Sequence, residues 1–460
     1  MLALFFILFI VSCFFCFTYE NRVIPFVVLI GFLQDPARKL ISGEPVYMTI
    51  LVGVLLGFAV LRKLLIQPKS LNAPFVDWSH SISQPMTIYL LLLGIQFAHA
   101  LLRYGSVMVP ALGSIFYLAP LVAISVGYSQ FPRLQAMRFF LILFSILAII
   151  VAVTVLMSYN GIESQLLGEV GSGLVIYDQG TVLKAYSGMM RSSEIASWHM
   201  GACVCFLIIL LIDRNSFSST AITAGLITLL VSAIVLTGRR KMIAQIFVFS
   251  VFYLPLLRFY QGRLSAGFFS GIAIAVTLLW FASEVFFSGS STSTFDLYLQ
   301  RGSSVFGDAT GRFEQLGIGS IGWAIQRFGF FGGGLGVAAQ GAQHFGGALA
   351  SGAAEGGLGK IVSELGVLAL FIGAWLIYAI GSYLNQCIKL VARHLPLRLP
   401  LIVGVFCFII ANLPTFIVAS QVYGDVFVLL VIGLLFGFLF ATPKQVIAEL
   451  KQRELAAKPT

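Results

Sequence analysis

Met137–Met157 reads MRFFLILFSILAIIVAVTVLM: one charge, Arg138, and then an apolar run that nothing interrupts. A helix of about 20 apolar residues matches the hydrocarbon core of a bilayer. In water the same helix would be apolar all round, with no polar face to turn outward. The run therefore predicts a membrane-spanning helix, and comparable runs recur on both sides of it. They fall near Leu2–Phe17, Val46–Ile66, Pro85–Leu102 and Val107–Gly127 on the N-terminal side. Towards the C-terminus they are Ile195–Ile212, Ser219–Leu236, Ile243–Leu257, Ala266–Phe287, Ile361–Tyr383, Leu401–Val422 and Val426–Phe440. This gives an all-α polytopic bundle of about twelve spans, a single integral domain over residues 1–460. Val23–Leu33 is too short to cross comfortably, and Gln34-Asp35-Pro36 should end it; it reads as interfacial or re-entrant.

Composition agrees. The chain is 59% hydrophobic and 10% charged, whereas a soluble domain is about half apolar and a quarter charged. Its net charge of +10 (28 basic minus 18 acidic) lies mostly in short loops, where it sets topology rather than binding nucleic acid. The cysteines Cys13, Cys16, Cys203, Cys205, Cys387 and Cys407 fall in or beside apolar runs and read as small buried hydrophobes, not a disulfide or metal framework. The N-terminal run lacks a basic leader and a small-residue cleavage site, so it is expected to be an anchor, not a cleaved signal.

Basic loops orient the bundle. Arg62, Lys63 and Lys69, then Arg133 and Arg138, Arg258 and Arg263, Lys389, Arg393 and Arg398, and a tail with Lys444, Lys451, Arg453 and Lys458 fall on one side if the spans alternate. That side, with the C-terminus, is expected to be cytoplasmic. The outer face then receives residues 160–194, the turn Thr237-Gly238-Arg239-Arg240-Lys241-Met242 and the long segment 288–360. The turn sets three cations on the side that loops normally keep poor in them, which reads as a cluster kept for a ligand. Connections as long as 288–360 are uncommon without function. Phe313, Leu316, Ile321, Ala324 and Phe328 recur there at roughly helical spacing, predicting an amphipathic surface helix. Fifteen glycines between Gly317 and Gly359 suit a backbone that approaches a ligand or a neighbouring helix closely.

Arginine's planar fork suits phosphate. Arg191, Arg239, Arg240, Arg312 and Arg327 all fall outside, and Lys241 and Lys360 add point charge. Several such donors can hold a diphosphate leaving group without a metal. His99, His199 and His344 lie on or near the same side; His344, in the glycine-rich loop, is the candidate base for a sugar hydroxyl. No phosphate-binding glycine loop, metal helix, internal repeat or appended soluble domain is legible.

Four local features resemble the O-antigen polymerase and O-antigen ligase superfamily, over roughly Arg191 to Tyr383. They are Leu236-Thr237-Gly238-Arg239-Arg240, Gly311-Arg312 followed by Phe328–Gly336, His344 followed by Glu355-Gly356-Gly357-Leu358-Gly359, and Glu364-Leu365-Gly366-Val367 entering the next span. Phe345 stands where the family often has asparagine, and Glu355 and Glu364 compete for one motif position. The resemblance implies a metal-independent, inverting glycosyltransferase of the bacterial inner membrane, without cofactors. Its donor is a glycan on undecaprenyl diphosphate met at the periplasmic face, and its acceptor a sugar hydroxyl. It implies His344 as base and Arg239, Arg240 and Arg312 on the diphosphate, with Arg191, Arg327, Glu355 and Glu364 in support. The bilayer, a flippase and a chain-length regulator are the implied partners, and polymerase is favoured over ligase. A transporter of lipid-linked glycan is the rival from another class, but such proteins place polar residues within broken spans. A scaffold subunit of a secretion complex is the third reading.

Overall fold

A computed structural model describes residues 2–19, 23–66, 80–131, 134–168, 170, 175–178, 181–214, 217–261, 294–303, 310–339, 342 and 355–457. The expected span Ala266–Phe287 lies outside them. Among the described residues, eight helices are long and apolar enough to cross a membrane, and a ninth if Val426–Phe440 and Thr442–Arg453, bent by 50°, form one span. Leu2–Thr18 and Thr220–Leu236 are shorter apolar helices. The chain is a multi-pass helical membrane protein.

It opens with α1 (Leu2–Thr18) and α2 (Val23–Lys39). The Phe15 ring stacks on Phe26 at 5.6 Å, so the chain reverses between them. The expected stop at Gln34-Asp35-Pro36 does not occur: α2 runs through Pro36 to Lys39 and is buried along most of its length. It is an interior helix, not an interfacial one, because partners on other segments accept the polar residues of its last turn. Next come α3 (Leu51–Ile66), entered through a 3₁₀ turn at Val46–Ile50, then α4 (His80–Tyr104), α5 (Met108–Gln130) and α6 (Leu134–Tyr159). A small addition to the all-helical expectation follows. Strands β1 (Val175–Asp178) and β2 (Thr181–Lys184) pair antiparallel, Val175 opposite Lys184 and Asp178 opposite Thr181.

Helix α7 (Ser193–Arg214) is the central one, with Trp198, Phe206 and Cys205 fully enclosed. Helices α8 (Phe217–Leu236) and α9 (Lys241–Gln261) pack beside it, joined by the basic turn. The short α10 (Thr294–Ser303) precedes a π-helical turn, Phe313–Ile318, and α11 (Gly319–Phe328). This pair is the expected amphipathic element, but its buried face is Gly317, Ser320, Ala324 and Phe328, and Phe313 is exposed. The wider π turn shifts the register ahead of α11 and so re-aims Phe313.

The expected span Ile361–Tyr383 is divided at Gly366, whose φ of +80° favours glycine. It becomes α12 (Gly357–Leu365) and the true long helix α13 (Leu368–His394). Then come α14 (Leu399–Val418), a 3₁₀ turn at Gln421–Gly424, α15 (Val426–Phe440) and α16 (Thr442–Ala457). Helices α5 and α15 lie in close contact through a glycine seam. A Cβ on Gly433 would sit 2.5 Å from the Pro120 carbonyl oxygen, on Gly437 2.4 Å from that of Ile124, and on Gly127 2.4 Å from that of Leu434. Without a hydrophobic drive between helices in lipid, such backbone approach is what holds spans together.

The bundle has two polar ends. At one, Arg138 pairs with Asp213 and Arg398 with Glu449. The other holds the start of α7 and the turn between α8 and α9.

Candidate functional site

The site is built at the first turn of α7. Ser192 caps that helix, its Oγ accepting from the Ile195 N–H at 3.4 Å. Glu194, in the first turn, complements the positive end of the helix dipole. Two ion networks start from this turn.

The first centres on Arg191. Its Nη1 donates to Asp35 Oδ1 at 2.9 Å, its Nη2 to Asp425 Oδ2 at 2.5 Å, and its backbone N–H to Asp35 Oδ2 at 3.2 Å. Asp425 also caps α15, accepting from the Val428 N–H at 2.8 Å. One guanidinium thus ties the end of α2, the start of α7 and the start of α15. Both aspartate side chains are only 2% exposed. Burial opposes the Arg191 charge, but Asp35 and Asp425 more than offset it and hold its proton affinity above the ordinary arginine value. Beside it, Lys39 donates to the Gly188 and Leu166 carbonyls at 2.7 and 3.3 Å, and Arg38 to the Glu44 carbonyl at 2.9 Å.

The second centres on Glu194. Arg239 Nη1 meets its Oε1 at 3.0 Å and Lys241 Nζ its Oε2 at 3.1 Å. Gln421, with its amide nitrogen turned to the carboxylate, donates to the same oxygens at 2.7 and 3.2 Å. Arg239 is aimed by its turn: Gly238 takes φ +66°, the Arg239 N–H donates to Thr237 Oγ1 at 3.3 Å, and its Nε to Ser193 Oγ at 3.0 Å. Arg301 of α10 closes over the turn, its Nε donating to the Gly238 carbonyl at 3.3 Å. Burial, and then the charge of Arg301, draw the Arg239 proton affinity down while Glu194 draws it up; the net direction is down. Arg239 Nη2 has no hydrogen bond among the described residues.

Glu364 belongs to a different locus. It is fully buried on α12, its Oε1 accepting from the Ala338 N–H at 3.2 Å. The Tyr117 hydroxyl of α5 lies beside it. Burial pushes this carboxyl above its ordinary range, although Lys360, Tyr117 and the Ala338 N–H pull the other way. The glycine run is packed beneath it. Gly333 donates to the Ser363 carbonyl at 2.7 Å and Leu335 to that of Gln96 at 3.1 Å, while a Cβ on Gly334 would strike Ala100. The close approaches of Gly332–Gly336 are therefore to neighbouring helices.

Of the site residues expected from sequence, the structure brings Arg191 and Arg239 together around one helix start, with Arg240 half-buried next to Arg239. Glu355 joins them: its carbonyl accepts from the Ser420 N–H at 2.8 Å, one residue before Gln421, and its carboxylate acts on Lys241. Arg312 and Arg327 are exposed; Arg327 lies over Trp323 at 5.7 Å, and Arg312 makes no ion pair with this cluster among the described residues. His344 lies outside the described residues. His199 is a core residue, enclosed by Phe32, Phe144 and Phe427, its Nδ1 2.7 Å from the Ile195 carbonyl. His99 Nδ1 lies 3.1 Å from Gln96 Oε1.

Sequence reading missed Asp35, Asp425, Arg301 and Gln421. Asp425 ahead of a long apolar run carried a signal, the helix-capping aspartate; Asp35 was hidden by the proline after it. No family model and no curated protein matches this chain. Fold and site define its class: a multi-pass α-helical membrane protein with a buried, cation-rich ion cluster at one end of the bundle.

Proposed function

We propose that the chain is a polysaccharide polymerase-type glycosyltransferase of the bacterial inner membrane, acting on undecaprenyl-diphosphate-linked glycan at the periplasmic face. The observation that carries this reading is the Glu194 network. Arg239 and Lys241 converge there at a membrane-helix end, with guanidinium donors left over for an anion. The topology that goes with it has about twelve spans, a cytoplasmic C-terminus and the 237–242 turn outside.

In the reaction proposed, an acceptor sugar hydroxyl attacks the anomeric carbon of the donor. Its proton passes to a base, for which His344 is the candidate, as the new C–O bond forms. The bond from the anomeric carbon to the diphosphate oxygen breaks, with inversion, and the departing charge falls to Arg239 and Arg240, with Arg312 added from the surface element. Glu355 is pinned to Ser420 beside the Glu194 network. A transporter would instead need its charges in mid-span.

Purified protein given undecaprenyl-diphosphate-linked repeat units should extend them, read as a ladder on a gel. Chain growth that survives His344→Ala unchanged removes the histidine from its role; transfer only to a lipid A-core acceptor turns the reading to ligase. For orientation, a cysteine at exposed Gln315 should react with an impermeant thiol reagent from outside intact cells and one at Gln452 should not. The native cysteines are buried and leave that measurement clear.

A further inference from the structure

We propose that Glu194 occupies the seat of the donor's diphosphate and is exchanged for it during turnover. This deepens the phosphate reading of the same site and rests on it.

Three donors from three segments converge on that one carboxylate: Arg239 from the α8–α9 turn at 3.0 Å, Lys241 from α9 at 3.1 Å and Gln421 from the turn before α15 at 2.7 and 3.2 Å. A carboxylate that receives a guanidinium nitrogen, an ammonium and an amide on its two oxygens has the surroundings that a phosphoryl group requires. The donors come from parts of the chain remote from one another, so the seat is made by the fold and not by one loop. They are also more than a single carboxylate needs. Arg239 keeps Nη2 without a hydrogen bond among the described residues. A group carrying more charge and more oxygens than Glu194 would use them.

The internal carboxylate answers a physical problem of such a site. Arg239 and Lys241 crowded together without Glu194 would repel one another and lose the geometry they need. Glu194 holds the cations in place while the site is empty, which is preorganisation in the sense that catalysis requires. Its side chain is 10% exposed and its helix start is fixed by the Ser192 cap, so it can rotate off its partners without moving α7. A diphosphate with about two charges displaces one carboxylate. When the lipid diphosphate leaves, Glu194 closes back on Arg239 and Lys241 and aids its release.

The test uses inorganic pyrophosphate with the full chain in nanodiscs. In the wild type, carbodiimide labelling of Glu194, read by peptide mass spectrometry, should rise several-fold on saturation with pyrophosphate, because the carboxylate is expelled. The unfolding temperature of Glu194→Gln should respond to pyrophosphate at about tenfold lower concentration than the wild type. Adding Arg239→Ala to that variant should abolish the response. Pyrophosphate that fails to bind overturns the exchange together with the phosphate reading. Pyrophosphate that binds while Glu194 labelling falls or stays level overturns the exchange alone. Neither outcome depends on the glycan ladder, which tests the transferase reading separately.

Discussion

Arg191 and Glu194 flank the start of the same helix, yet they are partnered in opposite ways. Arg191 is one cation between two aspartates, with a nitrogen spent on each and both carboxylates sealed at 2% exposure. Glu194 is one carboxylate between two cations, at 10% exposure, and Arg239 keeps a nitrogen without a hydrogen bond among the described residues. A network in which one cation already has two enclosed carboxylates holds helices together, because an anionic ligand would have to displace one of them. An undersaturated network near the surface has capacity to accept a ligand. Charge in a membrane bundle is costly either way, so the useful question about each arginine is what its partners leave over.

The largest effect should follow from breaking the saturated side. Arg191→Ala leaves Asp35 and Asp425 without the cation that bridges them, and removing one partner of a buried ion pair costs about 3–5 kcal/mol. Thermal unfolding in nanodiscs should register this as a large drop with pyrophosphate absent, and pyrophosphate should not restore it. A stability loss near zero would erase the distinction between the two networks. The second effect belongs to the other side. Arg239→Ala removes one charged contact to Glu194 and the donor with the free nitrogen, and hydrogen bonds to charged groups contribute about 1.5–3 kcal/mol. Expressed as donor affinity or transfer rate, that is roughly ten- to a hundredfold, with a smaller change in unfolding temperature than Arg191→Ala. If Arg239→Ala proved the more destabilising of the two, the assignment of roles would be reversed.

How much of this was legible beforehand differs between the two networks for a physical reason. The membrane class followed from apolar runs whose length alone determines where a bilayer will take them. Arg239 was legible because its turn gathers three cations in a row between two apolar runs. Asp35 was not, since a proline after an aspartate reads as a helix end; α2 instead continues through Pro36. That continuation is understandable only once Arg191, far along the chain, is known to accept the aspartate. The glycine run left two readings open, a ligand or a neighbouring helix. Its composition fits close approach to any surface, and the surfaces turned out to be Ala100, Val109 and Ser363 on neighbouring helices. Gly366 ends α12 where the pattern ran on, because its left-handed φ lies in the backbone and leaves no trace in hydropathy.

Glu364 offers a third arrangement, a buried carboxyl with no salt bridge among the described residues, and it sharpens the contrast through pH. Burial raises its folded-state affinity for a proton above the ordinary 4.5. Below that value the acid is neutral folded and unfolded, and its charge costs nothing. As pH rises past it, the unfolded chain releases the proton while the folded one retains it, so stability falls until the folded group also ionises. Glu364→Gln should therefore match the wild type at acid pH and become the more stable of the two as pH climbs from 4.5 to neutrality. Unfolding temperatures measured across that range would give the sign directly. A wild type that gains on the variant with rising pH would mean that Lys360 pairs with Glu364 more strongly than burial opposes it.

The smallest effect should come from Arg312, and it tests how far the receptive network extends. This residue is exposed at the head of the π turn, on an element whose buried face is Gly317, Ser320, Ala324 and Phe328. Nothing in the described structure depends on its charge, so Arg312→Ala should leave the unfolding temperature unchanged. An exposed cation acts through water and salt, and within about 8–10 Å. If it assists the diphosphate at all, it does so only once the donor is bound and the surface element has moved over it. Its loss should then lower the transfer rate a few-fold, leave inorganic pyrophosphate binding alone, and fade as ionic strength rises. A loss of pyrophosphate affinity equal to that of Arg239→Ala would place Arg312 inside the seat itself. The boundary between a buried, preset clamp and a mobile surface contribution would then have to be redrawn to include the π turn.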